Sequence, residues 1–151
     1  MKLSVVATMM LVLSCAASHT APVEPWSVGV TSSGGIAGRG AGSYAITSDG
    51  QVSVTSMSGR SCTFRATEEE IRRFKELLTN ARPETWEQSY IPKDSCCDRF
   101  EYELVLDEAG AKQTVTWIDD PQPMPKDLVA LTDAMVGAPP SLRVTYGAQC
   151  Q

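Results

Sequence analysis

Residues 100–118 read FEYELVLDEAGAKQTVTWI, and this stretch decides the fold. Phe100, Tyr102, Leu104 and Leu106 recur every second position, while Arg99, Glu101 and Glu103 fill the alternate ones. A period of two puts the first set on one face of a strand and the charges on the other. One side is buried and one is wet, as in an antiparallel sheet covered on a single face. Asp107-Glu108-Ala109-Gly110 turns the chain, and Gln113 to Ile118 returns it, with Val115 and Trp117 alternating.

Upstream, Thr67 to Asn80 (TEEEIRRFKELLTN) is the clearest helix. Thr67 is a good N-cap, and Glu70 three residues on completes a capping box. Ile71, Phe74, Leu77 and Leu78 fall on one face, and Glu68–Arg72 and Glu69–Arg73 are spaced to pair. Asn80 and Pro83 mark the stop. Downstream, Lys126 to Val136 predicts a second helix with Leu128, Leu131 and Met135 inward, ended by Gly137 and Pro139-Pro140. Leu142 to Tyr146 is expected to be a short extended segment.

Before the first helix, Trp26 to Thr31 has a strand pattern. Five glycines between Gly34 and Gly42 then make a loop of low structural propensity. Tyr44–Thr47 and Val52–Thr55 flank Ser48-Asp49-Gly50-Gln51, and Asp-Gly there signals a type I′ hairpin, whose two central residues need positive φ. The order β-loop-β-β-α-β-β-α predicts an α+β domain: a four- to five-stranded antiparallel sheet with two helices on one face. No repeat or domain boundary follows Trp26, so residues 26–151 form one domain.

Composition narrows the function. An apolar fraction of 42% over 151 residues is that of a folded chain. Thirteen basic against 18 acidic residues argue against nucleic-acid binding. The one histidine, His19, precedes the domain, which removes Ser-His-Asp triads and imidazole metal sites from it. No cofactor or metal is expected, and the reading is of a domain that is not an enzyme.

Residues 1–14 carry Lys2 and an uncharged run from Leu3 to Leu13. That run is too short to span a hydrocarbon core and fits a secretory signal. It ends in Val12-Leu13-Ser14-Cys15, which resembles the lipobox of bacterial lipoproteins, although Leu is commoner where Val12 stands. The resemblance implies cleavage before Cys15 and lipidation of its thiol. Residues 15–25, rich in small residues and proline, then form a tether. The chain is expected in the bacterial cell envelope, held to the membrane at Cys15, on the outer membrane if the source is Gram-negative. The alternative is cleavage after Ala16-Ala17-Ser18 and a secreted or periplasmic product.

Cys62, Cys96, Cys97 and Cys150 remain in the domain, and an oxidising compartment makes disulfides the default. Pairing the neighbours Cys96 and Cys97 needs a strained ring. The more ordinary result joins each of them to Cys62 or Cys150, in an order the sequence leaves open. A Cys-x-x-Cys redox or zinc spacing is absent.

Two loops could touch a partner. Ser33-Gly34-Gly35-Ile36-Ala37-Gly38 lacks the Gly-Lys-Ser/Thr and the following helix of a phosphate loop. Ile36, a large apolar residue among glycines, is instead a candidate anchor. Asp119 and Asp120 are adjacent carboxylates before Pro121, and need a loop geometry to converge.

Four features in this order resemble the emfourin family: Ser33 to Gly38 after a first strand, the Glu-rich helix start at Thr67, Cys97-Asp98-Arg99-Phe100-x-Tyr102-x-Leu104, and Trp117-Ile118-Asp119-Asp120 before Pro125-x-x-Leu128. The resemblance spans residues 26–136. It implies a small α+β protein and a proteinaceous inhibitor of thermolysin-like zinc metalloproteases. Such enzymes favour a bulky apolar residue just after the cut. Ile36, beside Gly35, would fill that pocket while Asp119 or Asp120 approaches the catalytic zinc. The lipid signal, Cys96-Cys97 and the extended tail depart from the simplest members. The sequence therefore carries two readings: a non-catalytic interaction domain of the envelope, and a metalloprotease inhibitor. A labelled-palmitate experiment checks the address: label is expected in the native chain and lost in Cys15→Ala. Label that survives the substitution would remove the lipoprotein reading.

Overall fold

A computed structural model describes residues 24–35, 40–93, 98–119 and 121–151. The signal segment, Cys15, most of the tether, Ile36, Cys96, Cys97 and Asp120 lie outside the described residues. The chain is α+β: β1 (Trp26–Gly34), β2 (Gly42–Thr47), β3 (Gln51–Thr55), β4 (Ser61–Arg65), α1 (Glu68–Asn80), β5 (Ser89–Tyr90), β6 (Phe100–Glu108), β7 (Ala111–Ile118), α2 (Lys126–Val136) and α3 (Leu142–Gly147).

The strands form one seven-stranded sheet in the order β4-β3-β2-β1-β6-β7-β5. It is mixed, because β5 runs parallel to β7. The centre is β1, which pairs with β2 on one side and, along all nine residues from Trp26↔Glu108 to Gly34↔Phe100, with β6 on the other. Register aligns the apolar set across the sheet: Val28 stands beside Ile46 and Leu106, Val30 beside Tyr44 and Leu104. All are buried on a single face, where they join Phe74 and Leu78 of α1, Leu128, Leu131 and Met135 of α2, and Leu142 and Tyr146 of α3 in one core. The opposite face keeps Glu101 and Glu103 wet, as the alternation in residues 100–106 requires.

Several local expectations are met. Thr67 Oγ1 accepts from Glu70 N at 3.2 Å while Glu70 Oε2 accepts from Thr67 N at 2.8 Å, closing the capping box. The second helix starts and stops at Lys126 and Val136. Other expectations are corrected. The sheet has seven strands rather than four or five, because β4 and the two-residue β5 add edges too short to stand out by periodicity. Among the described residues there are three α-helices rather than two: Leu142 to Tyr146 is helical, since Ser141 caps it and Leu142 and Tyr146, four apart, face the core together.

The Asp49-Gly50 turn is not type I′. Only Gly50 has positive φ, and Gly50 N donates to Thr47 O at 2.8 Å. Three residues separate Thr47, the end of β2, from Gln51, the start of β3, which suits a type I turn followed by a left-handed glycine. The pair of positive φ values falls instead at Ala109 and Gly110, between β6 and β7. Glu68–Arg72 and Glu69–Arg73 form no ion pair among the described residues; the Arg73 guanidinium donates to Pro140 O at 2.7 Å and ties α1 to the segment before α3.

The disulfide pairing is also corrected. Cys62 is bonded to Cys150, with Cα atoms 5.8 Å apart, and not to Cys96 or Cys97. β4 places Cys62 beside Val54 on the inner face, and the turn after α3 brings Cys150 over it. The bond closes a separation of 88 residues and pins the last described segment to the sheet edge. Replacing both cysteines by serine is expected to lower unfolding free energy by about 2–4 kcal/mol, read by urea denaturation of oxidised protein. No change would mean that the bond does not form in the protein.

Candidate functional site

The β1–β6 register decides which loops meet. β1 ends at Gly34 opposite Phe100, where β6 begins, and β7 ends at Ile118 opposite Glu101. The segments after Gly34, before Phe100 and after Ile118 therefore leave the sheet at one pole. Gly35 N donates to Arg99 O at 3.1 Å. Asp119 grips the same strand end from the other side: its Oδ2 accepts from Phe100 N at 3.1 Å and its N donates to Phe100 O at 3.3 Å. The structure thus brings Gly35 and Asp119, two of the four candidate contact residues, to either side of one strand end. The other two, Ile36 and Asp120, lie outside the described residues.

Two glycines at this pole are required by space. A Cβ on Gly35 would come 2.7 Å from the Phe100 ring, and one on Gly40 would come 1.9 Å from Ser32 O. Both have positive φ. Gly40 N donates to Gly34 O at 3.0 Å, so the base of the loop is closed by backbone pairing.

Beneath the pole is a cavity of about 270 Å³. Tyr102 and Trp117, opposed across β6 and β7, stack with centroids 5.2 Å apart and planes 13° from parallel, and form one wall. Met124, Val129 and Val136 line the rest, and Asp119, Asp133 and Arg143 are its charged groups. Burial, together with the facing Asp119 carboxylate, holds the Tyr102 phenol above its ordinary pKa of 10.0, against the pull of Arg143. An apolar hollow with a few convergent polar groups is a binding geometry. Among the described residues no group of three histidine, cysteine or acidic side chains is placed to hold a metal ion.

α3 carries Arg143 and is held from outside. Tyr146 Oη donates to Glu70 Oε2 at 2.8 Å, so this one carboxylate oxygen also serves the α1 capping box. Burial raises the Glu70 pKa, but hydrogen bonds from the Thr67 backbone, the Tyr146 hydroxyl and the Thr67 hydroxyl outweigh it and leave the group below its ordinary 4.5. Burial and the Glu70 carboxylate push Tyr146 up to about 12.

Sequence reasoning missed Arg143, Tyr102 and Trp117 as site residues. The two aromatics read as core, which they also are. Arg143 was hidden by reading its segment as extended, although Ser141 before Leu142 and Tyr146 at a spacing of four is a helix-start signal. Comparison with protein-family models, with curated proteins and with solved structures finds no match to this chain.

The Glu70–Tyr146 bond gives α3 a pH signature. A depressed carboxyl stabilises above its ordinary value of 4.5 and loses that stability as pH falls through its folded value. A raised phenol stabilises below 10.0 and loses that stability as pH rises towards about 12. Tyr146→Phe is expected to cost about 1–2 kcal/mol at neutral pH. The gap to the native chain, read by thermal unfolding across pH, should narrow at both the acid and the alkaline extremes. A gap independent of pH would show that packing alone is lost.

Proposed function

We propose that this chain is a lipid-anchored, non-catalytic binding domain of the bacterial cell envelope that offers its loop pole to an extracytoplasmic protein. One observation carries the reading. β1 runs from Trp26, where the tether ends, to Gly34, where the glycine-rich loop begins, and pairs with β6 over its whole length. Eight steps at about 3.3 Å put the two ends of this strand roughly 26 Å apart. Ala109 N donates to Pro25 O at 2.9 Å, which fixes the entering chain to the β6–β7 turn at the far pole. An anchor at Cys15 therefore holds the domain by one end and leaves Gly35, Asp119 and the Tyr102–Trp117 cavity at the other. Cys15 lipidation follows from the lipobox resemblance, and the lack of a histidine in the domain supports binding rather than turnover.

The second reading, inhibition of a thermolysin-like metalloprotease, is favoured by the meeting of the glycine-rich loop and Asp119 around Phe100. In that reading Ile36 fills the protease pocket and Asp119 or Asp120 faces its zinc. The family resemblance that suggested it rests on motifs alone.

A photo-crosslinking amino acid placed at position 36 or at position 112, in the intact envelope, tests the polarity. A partner adduct is expected from position 36 and none from Lys112, which is exposed at the tether pole. Equal adducts from both, or none from position 36, would defeat the reading. Titration of the purified full-length chain against several thermolysin-like proteases separates the alternatives: stoichiometric inhibition that Ile36→Asp abolishes identifies the inhibitor.

A further inference from the structure

A second cavity, about 740 Å³, lies on the other side of Arg143, between α3 and the turn joining β3 to β4. Its size is that of a small-molecule site. Tyr44, Met57, Val144 and Ala148 give it apolar walls, and the Ser56 and Ser58 hydroxyls, 2.8 Å apart, also line it. Met57 is 62% exposed and Val144 42%, so two of the largest exposed apolar side chains border one hollow.

Among the described residues Arg143 is the only charged side chain lining it. It is half-buried, yet among the described residues no carboxylate lies within ion-pair distance and no hydrogen bond holds its guanidinium. Arginine is rarely withdrawn from water without a partner. The absence is more telling in a chain with 18 acidic residues against 13 basic ones. Tyr44 and Tyr102 flank it closely enough for its charge to act on both phenols. On its far side the first cavity holds Asp119 and Asp133, which repel an anion. Of these two cavities it is the α3 cleft that combines the unpaired guanidinium with an apolar wall and, among the described residues, no carboxylate side chain.

We propose that this cleft binds a small aliphatic carboxylate, with the head group on the Arg143 guanidinium and the alkyl chain against Met57, Val144 and Ala148. A guanidinium offers a carboxylate two parallel donors, which fixes orientation as well as charge. The cleft shares Arg143 with the cavity beneath the loop pole and no other lining residue, and hexanoate binding there is read without any protein partner.

Hexanoate, hexanol and hexylamine, titrated into the isotope-labelled full-length chain, test it by amide and arginine side-chain NMR shifts. Hexanoate is expected to bind at least tenfold more tightly than the other two, moving Ala41, Val144, Gly147 and the Arg143 Nε–H. Arg143→Gln should bring hexanoate to the level of hexanol, while Arg143→Lys retains part of the preference. Val144→Asp, which leaves the guanidinium in place and adds a like charge for the ligand to meet, should also abolish hexanoate binding. Equal binding of hexanol and hexanoate would overturn the proposal. So would shifts centred on Val129 and Gly137, or an unaltered affinity in both Arg143→Gln and Val144→Asp. Binding of an acetylated Leu-Ala-Leu peptide through its free carboxylate, with none of hexanoate, would overturn it in favour of a peptide site.

Discussion

The structure hangs on the antiparallel pairing of β1 with β6. These strands come from opposite halves of the chain, and their contact is the longest in the sheet. It fixes two things together. Val28 and Val30 meet Leu106 and Leu104, which builds the middle of the core. Gly34 meets Phe100, which gathers the loops at one pole. A slip of one residue would turn every inner side chain of β1 to the wet face, so the core itself specifies the register. The placement of the loops then follows from the same constraint, with no separate interaction needed to assemble them.

The sheet leaves its β4 edge and the space above β3 to be covered, and α3 covers them. A helix of six residues has too few internal hydrogen bonds to persist alone. Three outside ties hold it: the Ser141 cap, the Tyr146–Glu70 hydrogen bond and the Cys62–Cys150 bond. Glu70 matters twice, since the same oxygen that completes the α1 capping box accepts the hydrogen bond from the Tyr146 hydroxyl. Arg143 owes its position between two cavities to this arrangement. Its neighbours Leu142 and Tyr146 are buried, so its own side chain is directed along the surface between the helix and the sheet.

Legibility in the sequence followed the strength of local periodicity. β6, β7, α1 and α2 each repeat an apolar pattern long enough to exclude the alternative period, and each was readable nearly to its ends. β4 has only Cys62 and Phe64 as inward residues and β5 only Tyr90, so neither displays a period. Their existence depends on neighbours to pair with. α3 failed for a different reason: in five residues Leu142 and Tyr146 fit either an extended or a helical reading, and the Ser141 cap alone tips the balance. The cysteine pairing depended on both of these elements, and could not be right while β4 and α3 were unplaced. Of the candidate site, Gly35 and Asp119 were reached through the resemblance and loop chemistry. Arg143 was not, because an arginine without a partner looks in a sequence like any solvated charge.

The distribution of exposed apolar surface gives the two cavities their weight. Among the described residues the open face of the sheet is built mainly from small and polar residues such as Thr31, Ser53 and Thr63, with acids at Glu101 and Glu103, and Val105 is a partly exposed apolar exception. The exposed large apolar side chains among the described residues are Met57, Val129 and Val144. Each lines one of the two hollows that Arg143 separates. Scattered exposed apolar residues need no explanation, but their confinement to two adjoining concave sites, one under the loop pole and one beside α3, does. Of the two, the hollow beside α3 joins its exposed apolar side chains to the half-buried Arg143 with no carboxylate side chain among its described lining residues, which is the arrangement that the proposed ligand, an apolar body with a negative end, requires.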